Sequence, residues 1–214
     1  MTPRAYQRTD GRTRPDRITA GYAFPEKAER TVAAIRRRLT AGEYADLDGP
    51  ALLARLKDAN QGVRRVEHRE GNVGLIDLGL IADAMGGARV IGAAMQLVAH
   101  STALVRDLRT CLGGSPEGAA MWCSYFFGDD QVHLNDIYDR PTGATRQYWT
   151  TGHLPAPRYT DRPVYVLTGS TTFSAGEDVA YTLQAHGRAV VIGETTRGGA
   201  QPTARATRSP RRSR

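Results

Sequence analysis

The residues in this chain best suited to chemistry lie between positions 171 and 199. This stretch reads TTFSAGEDVAYTLQAHGRAVVIGETTRGG, and Ser174 stands directly before an apolar helical pattern. Ser174 and Glu177 fit a capping box, in which a serine and a glutamate bind free N–H groups at a helix start. A serine at the positive end of a helix dipole is also placed to act as a nucleophile, because the N–H groups there can stabilise an oxyanion. Both interpretations stay open at this point.

A glycine-containing loop forms the second group of candidate residues. The sequence ALVRDLR predicts a strand over residues 103–109, and the loop CLGGSPEG follows it. The sequence PVYVLT predicts another strand over residues 163–168, shortly before Ser174. Sites in parallel α/β sheets collect where strands end. We therefore expect the glycine loop and Ser174 to offer backbone N–H groups to one oxyanion.

Alternating apolar patterns predict the elements that position these residues. Two further strands are predicted at NVGLIDLG and AVVIGE, and helices are predicted at GARVIGAAMQLVAH, at GAAMWCSYFFG and directly after Ser174. Strands that alternate with helices are typical of an α/β fold with parallel strands. Apolar residues at helical spacing over residues 28–39 and 48–60 predict two more helices, which form a small N-terminal appendage.

The charge of the chain is concentrated at its ends. The net charge of the 214 residues is +7, of which residues 1–17 contribute +3 and residues 197–214 contribute +6, so the remainder carries −2. No aromatic residues are interleaved with these terminal arginines, and a specific nucleic-acid function is therefore not predicted. The basic ends are predicted to be solvated and disordered.

Composition disfavours metal, cofactor and membrane functions. Cys111 and Cys123 are the only cysteines, and their separation fits neither a disulfide framework nor a cysteine metal cluster. We predict no metal and no cofactor. No stretch approaches the roughly 18 apolar residues of a membrane span. The first twenty residues lack the apolar core of a signal peptide, which predicts a cytoplasmic location.

Three segments together resemble the C-terminal processing, or tail-specific, serine peptidases. They are DLRTCLGGSPE, VHLNDIYDRPTGATRQYWT and PVYVLTGSTTFSAGEDVAYTLQAHGRAVVIGETTRGGA. The branch that the chain resembles most contains the repeats of the interphotoreceptor retinoid-binding protein and their bacterial relatives. The resemblance is strong over residues 62–200 and weaker over the N-terminal helices.

The resemblance implies a crotonase-like fold, a superhelical core of β-β-α units behind a small helical subdomain. With the charge pattern, it predicts a disordered basic arm at residues 1–20 and the helical subdomain at 21–60. The peptidase-like domain is predicted at 61–201 and a disordered basic tail at 202–214. The arginine-rich sequence after residue 200 indicates a truncation or a change of reading frame.

The resemblance also implies hydrolysis of a peptide or protein substrate through an acyl-enzyme. Ser174 matches the nucleophile of the family. The backbone N–H of Ala175 and the loop at Gly113 and Gly114 match its oxyanion hole. The loop departs from the family's pattern just before these glycines, where Cys111 and Leu112 replace Asn and Gly.

The base that would activate Ser174 is not identified by the resemblance. One branch carries a lysine 25 residues after the serine, where this chain has Gly199. The other branch uses an upstream histidine and a downstream glutamate, and the segments that would carry them are missing. His68, which is predicted to precede the first strand, is the candidate substitute base.

Two alternatives to an active serine peptidase remain. The chain could be a non-catalytic family member that binds an apolar ligand or a peptide, or a truncated remnant with an incomplete fold. Arg106, inside a predicted buried strand, either pairs with a carboxylate or marks relaxed constraint. The sequence does not predict an oligomeric state.

Overall fold

A computed structural model describes residues 60–199, in which strands and helices alternate. A 3₁₀ turn at Asn60–Gly62 precedes the elements, which in chain order are β1 (Val63–Arg69), β2 (Val73–Leu78), α1 (Ala84–Val98), β3 (Ala103–Asp107), α2 (Pro116–Ser124), β4 (His133–Asp139), β5 (Ala144–Trp149), β6 (Val164–Thr168), α3 (Ala175–Ala185) and β7 (Val190–Gly193). The predicted basic arm, the helices of the N-terminal subdomain and the basic tail lie outside the described residues.

The described strands form two sheets. The larger sheet has the order β1-β2-β3-β6-β7, with β1 antiparallel to β2 and all other neighbours parallel. This confirms the predicted α/β class. Strands β4 and β5 form a separate two-stranded sheet, and residues Tyr138–Arg146 group apart from the main unit, which comprises residues 60–137 and 147–199. The crotonase-like superhelix stays a prediction.

Strand β1 was not predicted from the sequence, and the placement of His68 before the first strand is wrong. His68 lies inside β1, opposite Gly74 of β2. The strand reads VRRVEHR, and of its residues only Val63 is buried. A strand with so many charged residues lacks the apolar pattern by which strands are recognised.

Helix α2 begins and ends earlier than predicted. The apolar pattern predicted a helix over residues 118–128, whereas the helix spans Pro116–Ser124. The Ser115 hydroxyl accepts the N–H of Gly118 and caps the start of the helix, and Pro116 fits the first helical turn. Capping chemistry, which the apolar pattern does not report, therefore sets this boundary.

Helices α1 and α2 cover the same face of the large sheet. A Cβ atom on Gly74 would lie only 2.9 Å from the Cβ of Val98, so β2 packs directly against α1. On the same face of β3, the guanidinium of Arg106 stacks on the ring of Trp122 in α2 at 4.1 Å.

None of the helices within residues 60–199 is long and apolar enough to cross a membrane. The cytoplasmic location stays a prediction.

Arg106 is fully buried in this core without a polar partner. None of its three guanidinium nitrogens has a hydrogen-bond partner within the described part of the chain. Its contacts are the rings of Trp122 and Phe126, and burial lowers the pKa of Arg106 to about 10. Stacking on an aromatic ring replaces only part of the hydration of a cation. Arg106 therefore opposes folding, and a carboxylate partner, one of the two alternatives that the sequence left open, is not found among residues 60–199.

We expect Arg106→Met to raise the free energy of unfolding by about 1–3 kcal/mol, because an apolar side chain is buried without loss of hydration. Urea unfolding measures this change. Arg65→Met is the matched control, since 45% of the Arg65 side chain is exposed, and it should change stability by less than about 0.5 kcal/mol. If Arg106→Met unfolds more easily than the wild type, the guanidinium has an anionic partner.

Candidate functional site

The loops after β3 and β6 lie side by side, because the two strands are parallel neighbours. The hydroxyl of Thr172 donates to the carbonyl oxygen of Leu108 at 2.8 Å. The N–H of Phe173 donates to the carbonyl oxygen of Cys111 at 3.0 Å. These bonds join the segment before Ser174 to the segment before the glycine loop. The structure thus brings together the two groups of residues that the sequence placed at the ends of neighbouring strands.

Ser174 occupies a strained turn between β6 and α3. Its backbone has φ 51° and ψ −121°. A positive φ costs a residue with a side chain of order 1–3 kcal/mol and persists only where surrounding contacts enforce it. Ser174 and Glu177 have the reciprocal arrangement of a capping box, but the hydroxyl of Ser174 makes no close cap hydrogen bond. The hydroxyl therefore engages the helix start only weakly, and the close bond of the capping box is the one that Glu177 accepts from the Ser174 N–H.

The carboxylate of Glu177 holds this turn to a distant segment. It accepts three backbone N–H groups, from Ser174 at 2.7 Å, from Gly198 at 2.6 Å and from Gly199 at 2.7 Å. The sequence predicted only the first of these bonds, as part of the capping box. The other two join residues more than twenty positions apart, and no local sequence pattern reports them.

Gly113 lies directly against Ser174. A Cβ atom on Gly113 would be 2.6 Å from the Cβ of Ser174 and 3.2 Å from the nitrogen of Ala175. Gly113 also has φ +88°, so both its backbone and its surroundings require glycine. The neighbouring Gly114 packs against the backbone of Ile81, where a Cβ would lie 1.9 Å from the carbonyl oxygen.

Two backbone N–H groups at the site make no hydrogen bond within the described residues. Those of Ala175 and Gly114 have no acceptor among residues 60–199. The N–H of Gly113 is directed to the thiol of Cys111. Burial raises the pKa of that thiol to about 11, although the bond from Gly113 opposes the shift. Cys111 is therefore an uncharged thiol, which is a poor nucleophile at neutral pH.

The structure does not bring His68 to Ser174. His68 pairs with Gly74 near the start of β2, whereas Ser174 follows the opposite, carboxyl end of β6. The Nε2 atom of His68 lies 2.8 Å from the carbonyl oxygen of Leu97. Among residues 60–199, no side chain forms a hydrogen bond with the hydroxyl of Ser174, so no general base is in place there.

The space beside Gly199 is filled by an aromatic ring. A Cβ atom on Gly199 would lie 1.9 Å from Cε2 of Phe173. The guanidinium of Arg197 lies over the same ring, 5.4 Å from its centre. Any side chain at position 199 therefore requires Phe173 to move. Only the structure shows this obstruction, because it depends on a ring 26 positions away.

Asp178, one helical turn after Ser174, lies in a polar cluster that the sequence did not indicate. Its Oδ1 atom accepts the side-chain amide of Asn135 at 2.5 Å and the hydroxyl of Thr182 at 3.3 Å. Burial raises the pKa of Asp178 to about 6, and these two hydrogen bonds oppose the shift. Asp178 therefore changes its charge in a mildly acidic range.

A strained serine at a helix start, beside a glycine loop at the carboxyl edge of a parallel sheet, is an arrangement found in serine hydrolases. The sequence match is more specific. The model of Peptidase family S41 matches residues 72–208, which is more than half of the chain. The chain belongs to peptidase family S41. This confirms the resemblance to the C-terminal processing peptidases; the retinoid-binding branch stays a prediction.

Solved structures show the same fold over part of their length. The photosystem II D1 C-terminal processing protease has a TM-score of 0.50 at 21% identity, over 65% of this chain and 36% of that chain. A protein of Bacteroides fragilis NCTC 9343 described as an S41 protease has a TM-score of 0.56 at 24% identity, with 65% and 40% covered. A lipoprotein from Streptococcus agalactiae has a TM-score of 0.50 at 16% identity, with 63% and 50% covered. The chain thus spans half or less of these proteins.

We expect Asp178 to contribute a loss of stability as pH rises from about 4 to about 6. The folded-state pKa of Asp178, about 6, exceeds its ordinary value of 3.8. In this window the folded protein therefore binds more protons than the unfolded chain, and deprotonation favours unfolding.

Asp178→Asn should remove this part of the pH dependence, which is of order 2 kcal/mol for a shift of this size. Urea unfolding at a series of pH values measures it. Asp129→Asn is the matched control, because the Asp129 side chain is 97% exposed. An unchanged slope in Asp178→Asn would mean that Asp178 titrates normally in the folded protein.

Proposed function

We propose that this chain carries a serine-type peptidase site in which Ser174 is the nucleophile. The observation that carries the proposal is the packing of Gly113 against the strained turn of Ser174, with the N–H of Ala175 beside it. This packing supports a site in which the Ser174 hydroxyl and neighbouring backbone donors act on one carbonyl group. Acyl transfer requires such a combination, since the attacked carbonyl oxygen becomes an oxyanion. Membership of peptidase family S41 supports a peptide or protein as substrate.

The reaction proceeds through an acyl-enzyme. The Oγ atom of Ser174 attacks the carbonyl carbon of the peptide bond and loses its proton to solvent. The N–H groups of Ala175 and Gly114 donate to the carbonyl oxygen while it carries negative charge. The C–N bond then breaks, and the amine leaves with a proton taken from water. A second water hydrolyses the ester and regenerates the hydroxyl.

Within residues 60–199 no side chain is placed to take the proton of Ser174, so these residues alone support only a slow reaction. A general base contributes roughly 10²- to 10⁴-fold to such a reaction. Sites from which one member of a catalytic triad has been removed still retain roughly 10³- to 10⁴-fold acceleration over water, from the oxyanion hole and substrate binding. We therefore assign weak acylation to Ser174.

A second candidate function is peptide binding without turnover. The observation that favours it is the same lack of a base, since a site can hold a carbonyl group without cleaving it. Binding of an apolar ligand and an incomplete remnant of the family are the remaining hypotheses. Because the chain spans 50% or less of the length of the three similar structures, the activity of a complete family member is not transferred to it.

Labelling with a fluorophosphonate probe tests the proposal. We expect slow covalent labelling of the folded protein that is absent in Ser174→Ala, and mass spectrometry of the digested adduct should locate the probe on Ser174. Ser170→Ala is the matched control, because Ser170 lies in the same loop and its side chain is exposed.

Two outcomes of the labelling experiment would contradict the proposal. Equal labelling of Ser174→Ala and the wild type would place the reactive group elsewhere. A complete lack of labelling, in protein shown by circular dichroism to be folded, would reject the nucleophile and leave peptide binding as the function.

A further inference from the structure

Strand β7 ends the large sheet with an open edge among the described residues. It pairs with β6 on one side only. The N–H of Glu194, directly after the strand, donates to Thr168 of β6 at 3.1 Å. Because successive residues of a strand point their hydrogen-bonding groups to opposite sides, those of Val191 and Gly193 face away from β6. An open strand edge of this kind can pair with another extended chain.

A groove runs beside this edge, between β7 and α3. Its volume is about 390 Å³, and Ala180, Tyr181, Gln184 and Val191 contribute to its walls. Its wall includes an exposed aromatic side chain, since Tyr181 is 70% exposed. The groove and the open edge are adjacent, so a strand added to β7 would direct every second side chain into the groove.

The groove carries negative charge. Glu177 and Glu194 line it, and no lysine, arginine or histidine does. The carboxylate of Glu194 accepts the backbone N–H of Ser170 at 2.8 Å, and this hydrogen bond lowers its pKa. Glu194 is therefore ionised at neutral pH and favours a cationic side chain nearby.

We propose that the edge of β7 and the neighbouring groove bind an extended peptide in which a basic residue lies among apolar residues. The peptide backbone pairs with Val191 and Gly193, its apolar side chains contact Tyr181 and the groove, and its basic side chain reaches Glu194. Peptides that add a strand to a sheet take affinity from backbone hydrogen bonds and specificity from side-chain pockets.

Peptides of this kind are the substrates we assign to the proposed peptidase site, and to that extent the inference rests on the proposed function. Glu177 connects the two, since it is among the residues that line the groove and its carboxylate accepts the N–H of Ser174. A peptide held along β7 would therefore lie within about one helical turn of the nucleophile. Binding itself does not require the hydroxyl of Ser174, which allows the two proposals to be tested separately.

Fluorescence anisotropy on the Ser174→Ala protein measures binding without cleavage. The probe is a fluorescein-labelled, capped hexapeptide of valine and threonine with one central arginine. We expect saturable binding. A peptide with glutamate in place of arginine should bind at least threefold more weakly than the arginine peptide. The arginine peptide should bind Glu194→Gln more weakly by the same factor. This loss of affinity is the size expected for one partly exposed ion pair. Methylation of alternate backbone nitrogens should weaken binding about tenfold, because it removes strand hydrogen bonds.

Glu70→Gln is the control, because Glu70 is exposed at the far end of β1, on the opposite edge of the sheet. It should bind as the parent protein does. Equal binding of the arginine and glutamate peptides, or of the methylated and unmethylated peptides, would overturn the inference. So would a dimer in sedimentation velocity that the peptide does not dissociate, since a second copy would then cover the edge. Failure of fluorophosphonate labelling with intact peptide binding would overturn the peptidase proposal alone.

Discussion

The site depends on one constraint, the positive φ of Ser174. A residue with a side chain adopts φ 51° only when its surroundings enforce it. Three sets of contacts do so here. The carboxylate of Glu177 binds the N–H of Ser174, the loop before Ser174 is bonded to the carbonyl groups after β3, and Gly113 leaves room for the Ser174 side chain. Parallel pairing of β3 and β6 places these groups together, so the sheet and the site form one structural unit.

The same contacts explain why the site is incomplete as well as ordered. The backbone donors and the hydroxyl are positioned by main-chain geometry, which follows from the sheet. A general base must come from a side chain, and neither of the two candidate positions, Gly199 and His68, presents one to Ser174. Phe173 fills the space beside Gly199, and His68 lies at the opposite end of the sheet. The described residues thus hold Ser174 in a strained turn beside Gly113, and within residues 60–199 no side chain is placed to accept the proton of its hydroxyl.

Much of this arrangement could be predicted from the sequence, because it follows from local patterns. The apolar strands before the glycine loop and before Ser174, and the helix start at Ser174, predicted that the loops would meet. Strand β1 could not be predicted, since its charged residues hide the strand pattern. The bonds from Glu177 to Gly198 and Gly199, and the isolated position of Arg106, depend on contacts between distant segments. Patterns within a window of the sequence do not contain that information.

The stability of Gly113→Ala tests the central claim most directly, with Gly71→Ala as its reference. Both glycines have positive φ, +88° and +75°, but a Cβ on Gly71 would contact nothing within 4 Å. Both variants should lose about 1–2 kcal/mol in urea unfolding from backbone strain. Gly113→Ala should lose about 1–3 kcal/mol more, because its methyl group overlaps the side chain of Ser174. Equal losses in the two variants would show that Gly113 does not support the turn of Ser174, and would contradict the account.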